Sequence, residues 1–144
     1  MTDGRYSMIY NIAIIGAGQL GSRHLQGIVK SSNELRVYVI DPNENSLILA
    51  KKRYQEVCKS KMDIISYHQQ VSDLPKKIDI VIIATTSDVR RVVIENLLEL
   101  VQVSYIILEK VVFQSVKDFN DIMELISIKN TQAWVNCARR SYSF

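Results

Sequence analysis

Three glycines follow an apolar segment near the amino terminus with the spacing G-x-G-x-x-G. They are Gly16, Gly18 and Gly21 in the stretch YNIAIIGAGQLGSRHLQGI. In such a turn the first glycine permits a tight bend, the second lets a phosphate approach the backbone, and the third lets a helix pack on a strand. The unpaired N–H groups at the start of the helix attract the anion. The spacing therefore predicts a pyrophosphate site, with Gln19 and Leu20 as neighbouring cofactor contacts.

An acidic residue, Asp41, follows Gly21 by twenty positions and ends the next apolar segment. A carboxylate placed there can accept hydrogen bonds from ribose hydroxyls, and it would repel a 2′-phosphate. The sequence therefore predicts NAD(H) as the cofactor in preference to NADP(H). A simpler interpretation stays open, because Asp41 begins the stretch DPNEN, whose residue types also favour turns.

The glycine turn and Asp41 need a framework of strands, and six apolar, strand-like segments supply it. Several of these segments are continuous apolar runs, such as IDIVIIA, which is typical of strands covered on both faces. The predicted strands are Asn11–Ile15, Leu35–Ile40, Ile64–Tyr67, Ile78–Ala84, Tyr105–Glu109 and Ala133–Cys137.

The segments between the strands show an apolar residue every three or four positions, which indicates helices. Asn43 is expected to cap one helix, and Ser115 is expected to cap another in a capping box with Asp118. We expect the apolar stripes to pack on the sheet as core and not to form a cofactor site. The stripes are Leu47, Ala50, Tyr54 and Val57; Val89, Val92, Val93, Leu97 and Leu100; and Phe119, Ile122, Met123 and Ile126.

Alternation of strands and helices predicts an α/β fold: a doubly wound, mostly parallel sheet of about six strands with helices on both faces and right-handed crossovers. The length of 144 residues fits one domain with a real core. We find no linker, repeat or low-complexity segment that would divide it.

Composition and charge exclude several classes of function. The net charge of +3 comes from scattered basic pairs, which predicts solvated helix faces and no nucleic-acid binding. Cys58 and Cys137 do not have the spacing of a metal site or a redox motif. We therefore expect both to be reduced thiols in a cytoplasmic protein. No apolar run reaches the length of a membrane helix, so we expect no membrane partner. The basic pairs are at 51–53, 76–77, 90–91 and 139–140.

Four stretches together resemble the Gfo/Idh/MocA oxidoreductases, a family that includes glucose-fructose oxidoreductase and inositol 2-dehydrogenase. They are GAGQLGSRHL, VIIATTSDVR, ILEKVV and NCARRSY, in the order and places expected for that family. The resemblance covers nearly the whole chain and implies a dinucleotide-binding Rossmann domain over residues 1–144. Glu109 and Lys110 match a Glu-Lys pair whose lysine lies beside the nicotinamide and the substrate in the family.

The resemblance also implies roles for individual residues. It makes Lys110 the catalytic candidate, and Glu109, Thr85 and Thr86 become cofactor contacts. Arg139 and Arg140 match an arginine pair of the family. The chain departs from the family pattern at three places: Val111 replaces a proline, Thr86 and Ser87 replace Pro-Asn, and Arg90 replaces a histidine.

The sequence leaves alternatives open for Lys110 and for His24. Lys110 just after a central strand would stand at the crevice where open α/β sheets bind ligands, where an ammonium could stabilise a developing alkoxide. It could equally be a surface lysine paired with Glu109. His24 lies one turn into the first helix, and both a packing role and a functional role stay open for it.

The resemblance implies a dehydrogenase that acts on a hydroxyl group of a sugar, cyclitol or related polyol. Members of the family carry a substrate domain after the sixth strand, and we expect it to be absent from this chain, so that the chain binds NAD(H) without turnover. Two alternatives are a regulatory nucleotide-sensing module and a structural or partner-binding remnant. A homo-oligomer is left open.

Overall fold

The computed structural model describes residues 8–28, 30–58 and 64–137. Within them, strands and helices alternate from the first strand to the last. The strands are β1 Tyr10–Ile15, β2 Leu35–Ile40, β3 Ile64–His68, β4 Lys77–Ile83, β5 Gln102–Leu108 and β6 Gln132–Val135. The helices are α1 Gln19–Ile28, α2 Glu44–Val57, α3 Ser87–Leu100 and α4 Val116–Ile128, with a short 3-10 turn at Val71–Asp73. All six predicted strands are present, although β5 begins three residues before its predicted start.

The six strands form one sheet in the order β3-β2-β1-β4-β5-β6. Every neighbouring pair is parallel, and the register places Ile14 of β1 between Val39 of β2 and Ile82 of β4. The order reverses direction between β1 and β4, so the loops after these two strands diverge and leave a crevice. The predicted doubly wound α/β fold is confirmed.

Side chains of each strand alternate between two apolar cores, one on each face of the sheet. In β1, Ile12 and Ile14 belong to the core that includes residues of α1 and α2. Ala13 and Ile15 belong to the other core, which includes residues of α3 and α4. The continuous apolar runs of the sequence are explained by this double coverage.

Two helix starts have the predicted caps. The Asn43 side chain accepts a hydrogen bond from the Asn45 N–H at 2.9 Å, and the Ser115 hydroxyl accepts one from the Asp118 N–H at 3.0 Å. These contacts satisfy backbone donors that a first helical turn leaves unpaired. The Asp118 carboxylate binds Arg91.

The predicted apolar stripe of α3 is wrong in part. Val89 and Val92 are 45% and 64% exposed, whereas Arg90 is only 2% exposed. The apolar side chains of α3 lie on more than one face of the helix, so their spacing does not single out the face that packs on the sheet. The residues of α3 that are buried are Arg90, Ile94, Leu97 and Leu98.

Smaller corrections concern the other stripes and the basic pairs. Val57 and Phe119 were predicted to lie in the core, but the side chain of each is more than 40% exposed. The pair Arg90 and Arg91 is not a solvated face, because Arg90 is buried. Arg139 and Arg140 lie outside the described residues. Among the described residues, no helix has the length and apolarity needed to span a membrane.

Candidate functional site

Two of the three glycines are required by close backbone contacts. Gly16 has a φ of +96°, and a Cβ there would lie 2.9 Å from the backbone of Ala84 and Thr85. A Cβ on Gly21 would lie 1.7 Å from the carbonyl oxygen of Gly16. The turn between β1 and α1 is therefore packed against the end of β4, and it admits no side chain at these two positions.

Gly18 is in a different situation. No heavy atom lies within 4 Å of the place where its Cβ would be. Gly18 directly precedes Gln19, the first residue of α1, so the open space lies at a helix N-terminus. This is the arrangement in which an anion can approach backbone N–H groups without a basic side chain.

A cavity of about 660 Å³ opens beside the glycine turn. It lies at the carboxyl ends of the strands, next to the point where the sheet order reverses, and its size suits a small-molecule ligand. The walls come from the ends of β1, β2 and β4, from the segment after β3 and from α3. Its lining includes Gly16, Gly18, Asp41, Pro42, Gln69, Gln70, Val71, Ser72, Ala84, Thr85, Thr86, Val89, Val93, Asn96 and Leu100.

The exposure of Val89 is explained by this cavity. Val89 was predicted to pack on the sheet, but it forms part of the cavity wall together with Asn96 and Leu100. Val93 packs against the core, as predicted, and also lines the cavity, whereas the exposed Val92 is not in the lining. Helix α3 thus presents one apolar face to the core and a second one to the crevice. The expectation that this stripe belongs to the core alone is corrected accordingly.

Asp41 connects the end of β2 to the glycine turn. Its Oδ2 accepts a hydrogen bond from the Ala17 N–H at 2.7 Å, and its Oδ1 accepts one from the Asn43 N–H at 2.8 Å. The second contact spans two residues, so the turn interpretation of Asp41 is also realised. Each carboxylate oxygen retains a second acceptor site, and Asp41 lines the cavity.

Thr85 and Thr86 follow β4 and also line the cavity. The Thr85 hydroxyl oxygen is buried and has no hydrogen-bond partner among the described residues. Buried hydroxyl groups are normally paired, so an unpaired one in a cavity wall is a position where a ligand atom could bind. Thr86 is exposed at the start of α3, and its hydrogen bond lowers the pKa of Asp88.

Glu109 lies outside the 660 Å³ cavity. Its carboxylate Oε1 is 2.6 Å from His24 Nε2 and accepts a hydrogen bond from the Asn136 side chain at 2.7 Å. These three residues line a separate cavity of about 430 Å³, together with Leu20. His24 is thus hydrogen-bonded to a buried carboxylate that follows β5. Glu109 and Leu20, both predicted cofactor contacts, are not in the lining of the larger cavity.

Two further predicted site residues are exposed and do not line the 660 Å³ cavity. Gln19 begins α1 and is exposed. Lys110 directly follows Glu109 after β5 and is exposed, and the peptide bond between Lys110 and Val111 is cis.

The sequence interpretation missed the role of Arg90. Its guanidinium donates hydrogen bonds to the backbone carbonyls of Thr85, Glu109, Val111 and Val112. Burial lowers the pKa of Arg90, and attraction to the Glu109 carboxylate acts in the opposite direction. The only signal in the sequence was the arginine at a position where the resembled family has histidine.

The described ranges 8–28, 30–58 and 64–137 contain no group of three or more His, Cys, Asp or Glu side chains able to hold a metal ion.

Comparison with known families gives one match. The family model described as "Oxidoreductase family, NAD-binding Rossmann fold", GFO_IDH_MocA, matches residues 10–137. A comparison with curated proteins gives no match.

Several solved structures share the fold. An NAD-binding protein from Listeria innocua is 24% identical with a TM-score of 0.71, and the match covers 92% of this chain and 36% of that one. The WlbA dehydrogenase from Chromobacterium violaceum, in complex with NADH and UDP-GlcNAcA, is 17% identical with a TM-score of 0.74 and coverages of 92% and 36%. A super-repressor mutant of Gal80p from Saccharomyces cerevisiae is 15% identical with a TM-score of 0.72 and coverages of 90% and 34%. The chain thus spans about a third of their length.

Proposed function

Because the chain belongs to the Gfo/Idh/MocA oxidoreductase family and is its NAD-binding Rossmann domain, we propose that it binds NAD(H) in the 660 Å³ cavity for a dehydrogenase of sugars or polyols. The observation that carries this proposal is the glycine turn. Close backbone contacts leave no room for a side chain at Gly16 or Gly21, whereas Gly18 faces open space at the N-terminus of α1. The pyrophosphate would occupy that space, held by backbone N–H groups.

The position of Asp41 supports NAD(H) in preference to NADP(H). Its carboxylate stands at the end of β2 on the cavity wall, with acceptor sites left after binding Ala17 and Asn43. A ribose diol can donate to these sites, and a 2′-phosphate would be repelled by them. The adenosine ribose would therefore lie beside Asp41.

Residues after β4 and β5 would bind the remainder of the cofactor. The unpaired Thr85 hydroxyl and Thr86 would contact its middle, and Lys110 would stand at the nicotinamide end. There the Lys110 ammonium can orient a substrate hydroxyl or stabilise developing negative charge on its oxygen. The bound cofactor supplies the hydride chemistry. Glu109, held by His24 and Asn136, would support the loop that carries Lys110.

A substrate partner is proposed from the family and its relatives. One solved relative contains UDP-GlcNAcA, which supports a sugar or related hydroxyl compound as the substrate class. The relatives are about three times as long as the matched segment. We propose that residues beyond this segment, in a second domain, hold the substrate carbon against the nicotinamide, so that these 144 residues alone bind cofactor without turnover. Homo-oligomer formation stays open.

A regulatory nucleotide-binding role is the second candidate. The fold is shared with a super-repressor mutant of Gal80p. In that case the chain would bind a dinucleotide, and it would show no turnover even when joined to a second domain. Dehydrogenase assays of the chain joined to such a domain, with a panel of polyols and NADH absorbance as the readout, discriminate between the two roles.

Calorimetric titration of the purified chain with NADH, NADPH, ATP and cyclic dinucleotides tests the proposal directly. We expect NADH to bind most tightly and Asp41→Asn to narrow the difference between NADH and NADPH. The matched control is Asp79→Asn, because the Asp79 carboxylate also accepts a backbone hydrogen bond, from Asn11, but lies outside the cavity. Equal affinities for NADH and NADPH in the unmodified chain would contradict the assignment of Asp41 to the ribose.

A further inference from the structure

Arg90 joins two loops that lie at the same edge of the sheet. Its Nη1 atom is 2.5 Å from the Glu109 carbonyl, 2.5 Å from the Val111 carbonyl and 2.9 Å from the Val112 carbonyl. Its Nη2 atom donates to the carbonyl of Thr85. One guanidinium thus holds the loop after β4 and the loop after β5 together.

Arg90 binds the backbone on both sides of Lys110. The carbonyls of Glu109 and Val111, immediately before and after Lys110, both accept from the same nitrogen. On its other side, Arg90 holds the backbone of Thr85, whose unpaired hydroxyl lies in the cavity wall. The two residues proposed to contact the middle and the nicotinamide end of the cofactor are therefore tied to one buried side chain.

The chemistry of this contact requires a guanidinium. Arg90 is 2% exposed, and every hydrogen-bond acceptor described for it is a main-chain carbonyl. Two nitrogens on one rigid plane can serve acceptors on two separate loops. The single ammonium of lysine is one point, so it cannot reach both loops in the same way.

We propose that Arg90 is a positioning residue that sets the distance between the Thr85 loop and the Lys110 loop and thereby shapes the nicotinamide half of the cofactor site. This inference rests on the proposed function. A purely structural role would affect binding of the whole ligand, whereas the proposed role affects binding of the nicotinamide half. The glycine turn and Asp41, which are assigned to the ADP half, have no hydrogen bond to Arg90.

The test compares ADP, ADP-ribose and NADH binding to the 144-residue chain and to its Arg90→Lys variant by calorimetry. We expect ADP affinity to stay within about twofold and NADH affinity to fall by about tenfold, the loss that corresponds to one ordered hydrogen bond. The matched control is Arg91→Lys, because Arg91 is the next residue on the same helix and, among the described residues, its ion pairs are with the surface carboxylates of Glu95, Asp118 and Asp121. The control should leave all three affinities unchanged.

Amide hydrogen exchange of the ligand-free chain provides a second readout. Arg90→Lys should increase exchange in residues 85–86 and 109–113 and leave residues 10–28 unchanged. A uniform increase over the whole sheet, or equal losses of ADP and NADH affinity, would overturn the proposal, as would unchanged NADH binding in a folded variant.

The remaining outcomes are also decisive. If Arg90→Lys does not fold, Arg90→His, which keeps a ring N–H donor, is measured in the same way. Failure of both variants to fold would assign Arg90 to folding alone and overturn the proposal. If the unmodified chain binds neither ADP nor NADH, the proposed function fails, and the exchange data still show whether Arg90 orders the two loops.

Discussion

Replacing Gly21 with alanine should destabilise the fold far more than the same change at Gly18 or Gly27, where an added Cβ meets nothing within 4 Å. The new Cβ would lie 1.7 Å from the Gly16 carbonyl oxygen, and real Cβ contacts are essentially never below 3.0 Å. Either α1 or the Gly16 carbonyl must therefore move by more than an ångström. This is a steric effect on the fold, independent of any ligand.

Neither side of this contact can move easily. The Gly16 N–H donates to the Ile40 carbonyl at 2.8 Å, and the backbone of Gly16 is packed against Ala84 and Thr85. Helix α1 is held on the sheet by Leu25, which is fully buried. Because overpacking of a rigid site typically costs 1–3 kcal/mol and sometimes more, we expect a loss of about 3 kcal/mol in the free energy of unfolding. That is a large part of the roughly 5–15 kcal/mol of a typical domain.

Urea unfolding followed by far-UV circular dichroism measures this loss. With a slope of about 2 kcal/mol per molar urea, the midpoint of Gly21→Ala should fall by about 1.5 M. The control is Gly27→Ala in the same helix, where an added Cβ meets nothing within 4 Å. That variant should be unchanged or more stable by up to about 1 kcal/mol, since alanine favours helix over glycine. A Gly21→Ala midpoint within error of the unmodified chain would refute the packing argument.

Three further predictions concern binding and pH. Gly18→Val should abolish NADH binding with little change in the urea midpoint, because its side chain enters open space at the pyrophosphate position; normal NADH titration would contradict this. Asp41→Ala should lower the urea midpoint as well as the NADH preference, because two backbone donors lose their acceptors; Asp41→Asn keeps one of the two acceptor oxygens, so it should lower the preference and lower the midpoint by less than Asp41→Ala. Hydrogen bonding to Arg91 lowers the pKa of Asp118 below 3.8, so this ion pair stabilises the fold above that pH and is lost as pH falls through the lowered value. The difference in urea midpoint between the unmodified chain and Arg91→Met should therefore be present at pH 7 and shrink below about pH 4.

Much of the fold could be predicted because its signals are local. Apolar segments, several of them continuous β-branched runs, marked all six strands, and polar residues such as Asn43 and Ser115 marked helix starts through hydrogen bonds to neighbours two or three residues away. The glycine spacing was equally informative, because a positive φ at Gly16 and a close approach at Gly21 restrict the residue type directly.

The rest depended on tertiary contacts between distant residues. Periodicity showed that α3 has apolar faces, but only the packed sheet decided that Ile94 and Leu97 enter the core while Val89 faces the crevice. Arg90 was predicted to be solvated because an isolated charge is costly to bury. The carbonyls that make its burial tolerable come from the loops after β4 and β5, and they meet only when those strands pair. Likewise, the sequence could not tell apart the environments of the adjacent residues Glu109 and Lys110. Neither lines the 660 Å³ cavity, but the Glu109 carboxylate is buried against His24 and Asn136, whereas Lys110 is exposed.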